Sequence, residues 1–449
     1  MAQNREHFSG RAAVIMALAG SAIGLGNIWR FPYMVGEYGG AAFILIYLAA
    51  TLLFSLPIFV AESVIGRNSH SNCIGAMKKL APGTGWKVLG FLSVFTPLVI
   101  ASYYAVVGGW SVGFLGKSLA LGFLKPSEGF FAEFVAGPWQ PLICFLLFLG
   151  TATVIVALGV LKGIERFSKY AIPVLFLIIV LLIIYSVSLP GAKEGVYYMI
   201  RPDFSKITSK TFVYALGQSF YSLSLGMGII ITYSSYVRKD ENLMASAAGT
   251  AISDILFAFM AGMAIMPAVF SAGMKPDAGA GLVFQTLPYI FSQMAQSSPV
   301  LGSAVAGLFF LAILIAALTS QVSVMEVGVA WLTEEKKIPR GLAALLIFLV
   351  CAVFGSLCSL SFGPLSGFRI FGGSIFDLFD RFSSNFLLLA GGVLCVLFVG
   401  WKMPREVVYD EFTNGGTLSF NAKIFGILYF LIKWVAPVAV AVIFISNFI

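Results

Sequence analysis

Gly20-Ser21-Ala22-Ile23-Gly24-Leu25-Gly26-Asn27 lies inside an apolar run from about residue 11 to residue 34, and Ser222-Leu223-Ser224-Leu225-Gly226-Met227-Gly228 lies inside another, from about 212 to 236. Glycine costs a helix roughly 1 kcal/mol per position relative to alanine, and beside Ser or Asn a cluster of glycines lets the helix open. Opened backbone in hydrocarbon must face protein, water or an ion, because a free amide or carbonyl there is too costly. Glycines also serve close helix packing. Two breaks placed alike, five spans apart, favour a coordinating role over packing alone.

The rest of the chain puts those runs in a bilayer. Its 449 residues are 59% hydrophobic and 11% charged, with a mean hydropathy of +0.95, whereas soluble domains carry about 25% charged residues. Segmenting at turn signals gives eleven candidate spans, at about 11 to 34, 41 to 66, 88 to 122, 140 to 160, 166 to 189, 212 to 236, 243 to 271, 300 to 331, 339 to 360, 376 to 401 and 424 to 448. Long uniform apolar runs, rather than short alternating ones, predict helices and not a β-barrel. Most of the 28 Lys and Arg residues fall on one side when the N-terminus is placed in the cytoplasm. An odd span count then leaves the C-terminus outside a cell membrane crossed many times. Met1 to Arg11 carries both signs of charge and leads into a long span, so it does not read as a cleaved signal.

Composition also excludes other functions. The net charge of +8 comes with no Lys/Arg-rich run or aromatic-interleaved basic patch, so no nucleic-acid partner is expected. Cys73, Cys144, Cys351, Cys358 and Cys395 are scattered without a C-x-x-C pair and read as free thiols. No Ser-His-Asp set, metal cluster or phosphate loop is visible, and His7 and His70 lie near the cytoplasmic surface. The chain therefore reads as no enzyme. Without a nucleotide site, an ion gradient is the expected energy source.

Gly24-Leu25-Gly26-Asn27-Ile28-Trp29-Arg30-Phe31-Pro32-Tyr33, followed by Gly39-Gly40-Ala41-Ala42-Phe43, resembles the neurotransmitter:sodium symporter family. Tyr103-Tyr104, Gln218 to Tyr236 and Ala317-Leu318-Thr319-Ser320 extend the resemblance over nearly the whole chain. The family implies one all-α transporter domain over 1-449: two five-helix halves of inverted topology (11-189 and 212-401), an extra helix at 424-448, and a site between the halves where spans one and six unwind.

The resemblance implies a site for each of two sodium ions and one for a neutral amino acid. The first sodium falls to the Ala22 carbonyl, Asn27, Ser222 and Asp254; the second falls to the Gly20, Ile23 and Ala316 carbonyls with the Thr319 and Ser320 hydroxyls. Hard cations take such oxygens. Isolated hydroxyls at Ser222, Thr319 and Ser320 would otherwise bond back to their own helices. Asp254 departs from the family's common asparagine, and a buried carboxylate needs a cation. The fixed charge predicts chloride-independent transport, in keeping with Ala258, which offers an anion no oxygen. It also offers a place for a returning proton.

By the same resemblance the substrate carboxylate meets Ala22, Gly26 and Tyr104, and its ammonium meets carbonyls around Tyr221 and Ser224. Leu25, Ile100, Tyr104, Tyr221, Met227, Ser320 and Val324 surround its side chain. The lining has no charge to greet a charged side chain, and flexible Met227 suits large aliphatic or aromatic ones. Arg30 and Asp380, helped by Gln218, would gate the outside, and Arg5 with Glu334, supported by Tyr236, the inside. Glu62 would brace the opened first span, while Gly163 and Pro173, ten apart, would let span five unwind. The expected function is sodium-coupled import of a neutral hydrophobic amino acid, with no obligate protein partner. The alternatives are a sodium-independent exchanger of the same fold and a non-transporting amino acid sensor.

Overall fold

A computed structural model describes residues 6–120, 129–274 and 283–446. Among these residues every named element is helical, and the only β-pairing is an isolated bridge between Ile370 and Gly373. Nine helices are long and apolar enough to cross a membrane: Ala41–Ser69, Lys87–Leu119, Gln140–Ala157, Val160–Val187, Leu243–Ser271, Pro299–Glu335, Arg340–Leu360, Ile375–Lys402 and Ser419–Ser446. Arg11–Ala22 and Gly26–Glu37 make a tenth if taken as one span bent by 54°. The segment expected to be the sixth span is two helices, Ser209–Ser222 and Ile229–Ser234, of 14 and 6 residues. Neither is long enough to cross alone, because the intervening residues take turn conformations.

Glycine shapes the second interruption. Gly226 and Gly228 have φ of +76° and +71°, which side chains rarely adopt. A Cβ on Gly226 would also lie 2.1 Å from the Leu388 carbonyl oxygen, so Ile375–Lys402 packs directly on the break. Ser224, two residues before Gly226, holds φ of 55° without being glycine, a strained position. In the first interruption the chain leaves helix at Ile23 and re-enters through a wide π turn, Gly26–Arg30.

The longest helices form the frame around these breaks. Lys87–Leu119 packs along Pro299–Glu335, and Gln140–Ala157 closes on the first of these through small residues. A Cβ on Gly109 would lie 2.5 Å from the Phe145 backbone, so only glycine lets the two backbones approach this far. Arg11–Ala22 lies among Val160–Val187, Leu243–Ser271 and Pro299–Glu335. All five cysteines are free, and four are buried. Burial pushes the Cys73 thiol, in the connecting helix Cys73–Leu80, up to about 12, which leaves it an inert thiol.

Candidate functional site

The two breaks face each other, and Asp254 of Leu243–Ser271 stands beside them, fully buried. Asn27 Nδ2 donates to Asp254 Oδ1 at 2.7 Å and approaches Ser222 Oγ at 3.3 Å. Ser222 Oγ lies 2.8 and 2.9 Å from the two carboxylate oxygens. Tyr47 OH donates to Oδ2 at 3.0 Å. Every contact to this carboxylate is from a neutral group, and no ion pair includes it among the described residues. Three residues expected in one cation site, Asn27, Ser222 and Asp254, therefore touch, with the Ala22 carbonyl at the end of the adjoining helix. Asn27 Oδ1 accepts from Gly24 N at 3.0 Å, which folds the break back on itself.

On the opposite side of the break, hydroxyls from Pro299–Glu335 reach its carbonyls. Ser320 Oγ donates to Ser21 O at 3.2 Å and approaches Ile23 O at 3.4 Å, while Thr319 Oγ1 is 3.5 Å from Ile23 O. Thr319 also bonds its own helix at Ala316 O, 2.9 Å away. Ser224 Oγ adds a bond to Ser21 O at 3.0 Å. Gly20 is packed closely here, since a Cβ would stand 3.3 Å from Ser168 Oγ and 3.4 Å from Thr319 Cβ. Thus Gly20, Ile23, Ala316, Thr319 and Ser320 share one neighbourhood, and Ser21 joins it.

A cavity of about 290 Å³ opens beside the first break, lined by residues including Leu25, Gly26, Tyr104 and Tyr221. Tyr104 OH accepts from Leu25 N at 3.2 Å. Ile100, Met227 and Val324 are buried, at 3, 5 and 4% exposure. Arg30 and Asp380 line the same cavity but form no ion pair; the Arg30 guanidinium instead lies 4.9 Å from the Tyr221 ring centroid, and Asp380 accepts from Ser384. Gln218 Nε2 donates to Gly26 O at 3.3 Å, so it braces the break rather than the charge pair. Glu62 Oε1 accepts from Gly226 N at 2.7 Å, which places its support on the second break rather than the first.

At the other end, Arg5 lies outside the described residues. Glu334 Oε2 accepts from Asn72 N at 2.7 Å. The Tyr236 hydroxyl donates to Glu326 at 2.8 Å, and Arg340 grips Glu326 with two nitrogens at 3.2 and 2.5 Å. Val160–Val187 opens on a π-helical stretch, Val160–Glu165, that holds Gly163, and continues as α-helix through Pro173. Gly163 is packed there, with a Cβ position 2.0 Å from Ile155 O. Sequence reading missed Tyr47 and Ser21 and found no role for Glu326. Ser21 stands inside the quoted stretch and was within reach, whereas Tyr47 carries no local sign of its distant partner.

The chain matches the model of the Sodium:neurotransmitter symporter family over residues 5–124 and 135–449. It belongs to that family. It is 37% identical to the uncharacterized sodium-dependent transporter YhdH of Bacillus subtilis over 99% of this chain and 98% of that one. A sodium-dependent serotonin transporter of Drosophila melanogaster is 26% identical over 99% of this chain and 76% of its own. The structure resembles a crystal structure of MhsT in complex with L-phenylalanine, with a TM-score of 0.88, 39% identity and coverage of 99% and 100% of the two chains. This symporter is thus a sodium-dependent secondary transporter, a multi-pass membrane protein and not an enzyme.

Proposed function

We propose that this symporter couples inward sodium movement to import of a neutral hydrophobic amino acid, without chloride, by alternating access around the two breaks. The observation that carries the reading is Asp254: a fully buried carboxylate contacted by Asn27, Ser222 and Tyr47 but by no basic side chain. Such a charge calls for a cation as partner, and the oxygens around it are of the hard kind that sodium takes. Sodium here is a transported substrate. A second ion suits the Ile23 and Ala316 carbonyls with Thr319 and Ser320, where the hydroxyl-to-carbonyl contacts at Ile23 are long and leave room for a stronger ligand set.

The amino acid is proposed to lie against the break. Its carboxylate meets the start of the Gly26–Glu37 helix, where free amides favour an anion, beside the Tyr104 hydroxyl. Its side chain faces Ile100, Tyr104, Tyr221, Met227 and Val324, whose apolar and aromatic surface favours a large aliphatic or aromatic group. The phenylalanine complex of MhsT agrees with that choice. Two five-helix halves, 11-189 and 212-401, with 424-448 added, make eleven spans once the pair Ser209–Ser222 and Ile229–Ser234 is taken as one. The N-terminus is proposed to face the cytoplasm and the C-terminus the outside.

The test is uptake of radiolabelled L-phenylalanine, with competition by other neutral amino acids, into proteoliposomes under an inward sodium gradient or equal choline. Transient accumulation above equilibrium with sodium alone is expected, unchanged when gluconate replaces chloride. Exchange that ignores sodium, or binding without accumulation, overturns the coupling; loss of uptake in gluconate overturns chloride independence.

A further inference from the structure

Lys433 is a charge inside an apolar helix, and nothing in the transport cycle uses it. It lies on Ser419–Ser446 where that helix meets the end of Ile375–Lys402, so closely that a Cβ on Gly400 would stand 2.9 Å from the Lys433 Cα. Its ammonium is 4.8 Å from the ring centroid of Trp401, 5.8 Å from Trp434 and 5.9 Å from Tyr429. These rings are themselves held in place. Trp401 Nε1 donates to the Lys433 carbonyl at 3.1 Å, Tyr429 OH donates to Gly400 O at 3.1 Å, and the two tryptophans meet edge to face at 4.6 Å. Arg405 brings a second cation 5.6 Å from the Tyr429 centroid, and exposed Lys402 follows Trp401.

Lys402, Arg405 and Lys433 have no acidic partner among the described residues; Glu406, exposed, is the acid next to Arg405 in sequence. Trp401 and Trp434 are 53 and 50% exposed, on an outward seam between two membrane helices. Tryptophan settles at headgroup depth. A lysine near a helix end ordinarily needs only to stretch toward water, but this one is boxed by clamped rings, which fix its position and attract it only weakly. Three unmatched positive charges at one seam are best completed by an anionic phosphate group from the lipid side, as in basic pockets between membrane helices.

We propose that this seam binds the phosphate headgroup of an anionic phospholipid in the leaflet that Lys402 and Arg405 face. Lys433 and Arg405 hold the phosphate, Lys402 adds charge from the rim, and Trp401 and Trp434 rest against the glycerol and first methylenes.

The test is native mass spectrometry of the delipidated full chain with phosphatidylglycerol or phosphatidylcholine, beside thermal unfolding with the same lipids, inorganic phosphate or glycerol phosphate. Phosphatidylglycerol is expected to be retained in excess over phosphatidylcholine and to raise the unfolding midpoint. Lys433→Met should cut that excess roughly fivefold, the effect of one basic residue near a charged lipid surface, while Lys433→Arg keeps it. If Lys433→Met fails to fold, Arg405→Gln, at an exposed position, carries the same expectation. Equal retention of both lipids, or an unchanged excess in a folded variant, overturns the site; equal protection by inorganic or glycerol phosphate overturns its assignment to a lipid.

Discussion

Asp254→Asn removes one charge and almost no volume, so it isolates what the carboxylate does for sodium. A cation about 4 Å from a carboxylate gains roughly 4 kcal/mol at an effective dielectric near 20, a factor of about a thousand. Part of that attraction is spent before sodium arrives, because Asn27, Ser222 and Tyr47 already donate to the carboxylate at 2.7 to 3.0 Å, and hydrogen bonds to a charged group are worth about 1.5–3 kcal/mol each. Halving the Coulomb gain leaves about 2 kcal/mol, or roughly 30-fold. The sodium concentration for half-maximal L-phenylalanine uptake should therefore rise by between about 30-fold and 1000-fold. Thermal unfolding supplies the control. The wild-type midpoint should rise with sodium, as any ligand of the native state raises it, while the variant, freed of an uncompensated buried charge, should unfold at least as high in choline and gain little from sodium. A variant whose sodium dependence stays within twofold of wild type would falsify the view that this carboxylate holds the ion.

Other substitutions probe the frame of the site. Gly226→Ala should lower the unfolding midpoint sharply, because it places a Cβ 2.1 Å from the Leu388 carbonyl at φ of +76°; a midpoint within a degree of wild type would show that the break relaxes freely. Tyr104→Phe removes the acceptor of Leu25 N, 3.2 Å away, together with the proposed donor to the substrate carboxylate, and should weaken substrate binding about tenfold or more in an equilibrium binding assay at saturating sodium. Burial pushes the Glu411 carboxyl up, but bonds from Lys239, Asn68 and Arg67 outweigh it and hold the group below the usual carboxylate range. The unfolded chain then takes up the proton first as pH falls, so this stabilisation is present above the ordinary glutamate pKa of about 4.3 and is lost as pH falls through the lower value of the folded chain. Glu411→Gln should cost about 3 kcal/mol near neutral pH, since it leaves buried Arg67 without its countercharge, and the gap to wild type should narrow in unfolding scans as pH drops.

The breaks were legible because their cause is local. Glycine, serine and asparagine crowd into Gly20–Asn27 and Ser222–Gly228, and such composition weakens a helix wherever it falls. Asp254 was legible for a similar reason: one charge in a long apolar run advertises a partner. Tyr47 gave no such sign. In Ala41–Ala50 it reads as another apolar-face aromatic, and its target is 207 residues away. Arg67 and Glu411, 344 residues apart, pose the same difficulty. The helix ends around the second break were also out of reach, since φ of 55° at Ser224 is imposed by packing and not by serine itself. Glu326 is a further case, because its partners Tyr236 and Arg340 lie 90 and 14 residues away on other helices or turns.

The two sides of the first break differ in a way that bears on coupling. Toward Leu243–Ser271 the contacts are short and converge on a charge, with Asn27 at 2.7 Å and Ser222 at 2.8 Å from Asp254. Toward Pro299–Glu335 they are neutral and longer, with Ser320 at 3.2 Å from Ser21 O and Ser320 and Thr319 at 3.4 and 3.5 Å from Ile23 O. A neutral hydrogen bond nets only about 1 kcal/mol even at good geometry, so the long contacts alone hold the break to that helix weakly. A cation shared by the Ile23 carbonyl and those hydroxyls would strengthen that side, which now rests on neutral contacts. On the proposed reading, motion should separate the break from Pro299–Glu335 while Asn27, Ser222 and Asp254 travel together, and a sodium ion at the neutral oxygen site should favour the closed arrangement.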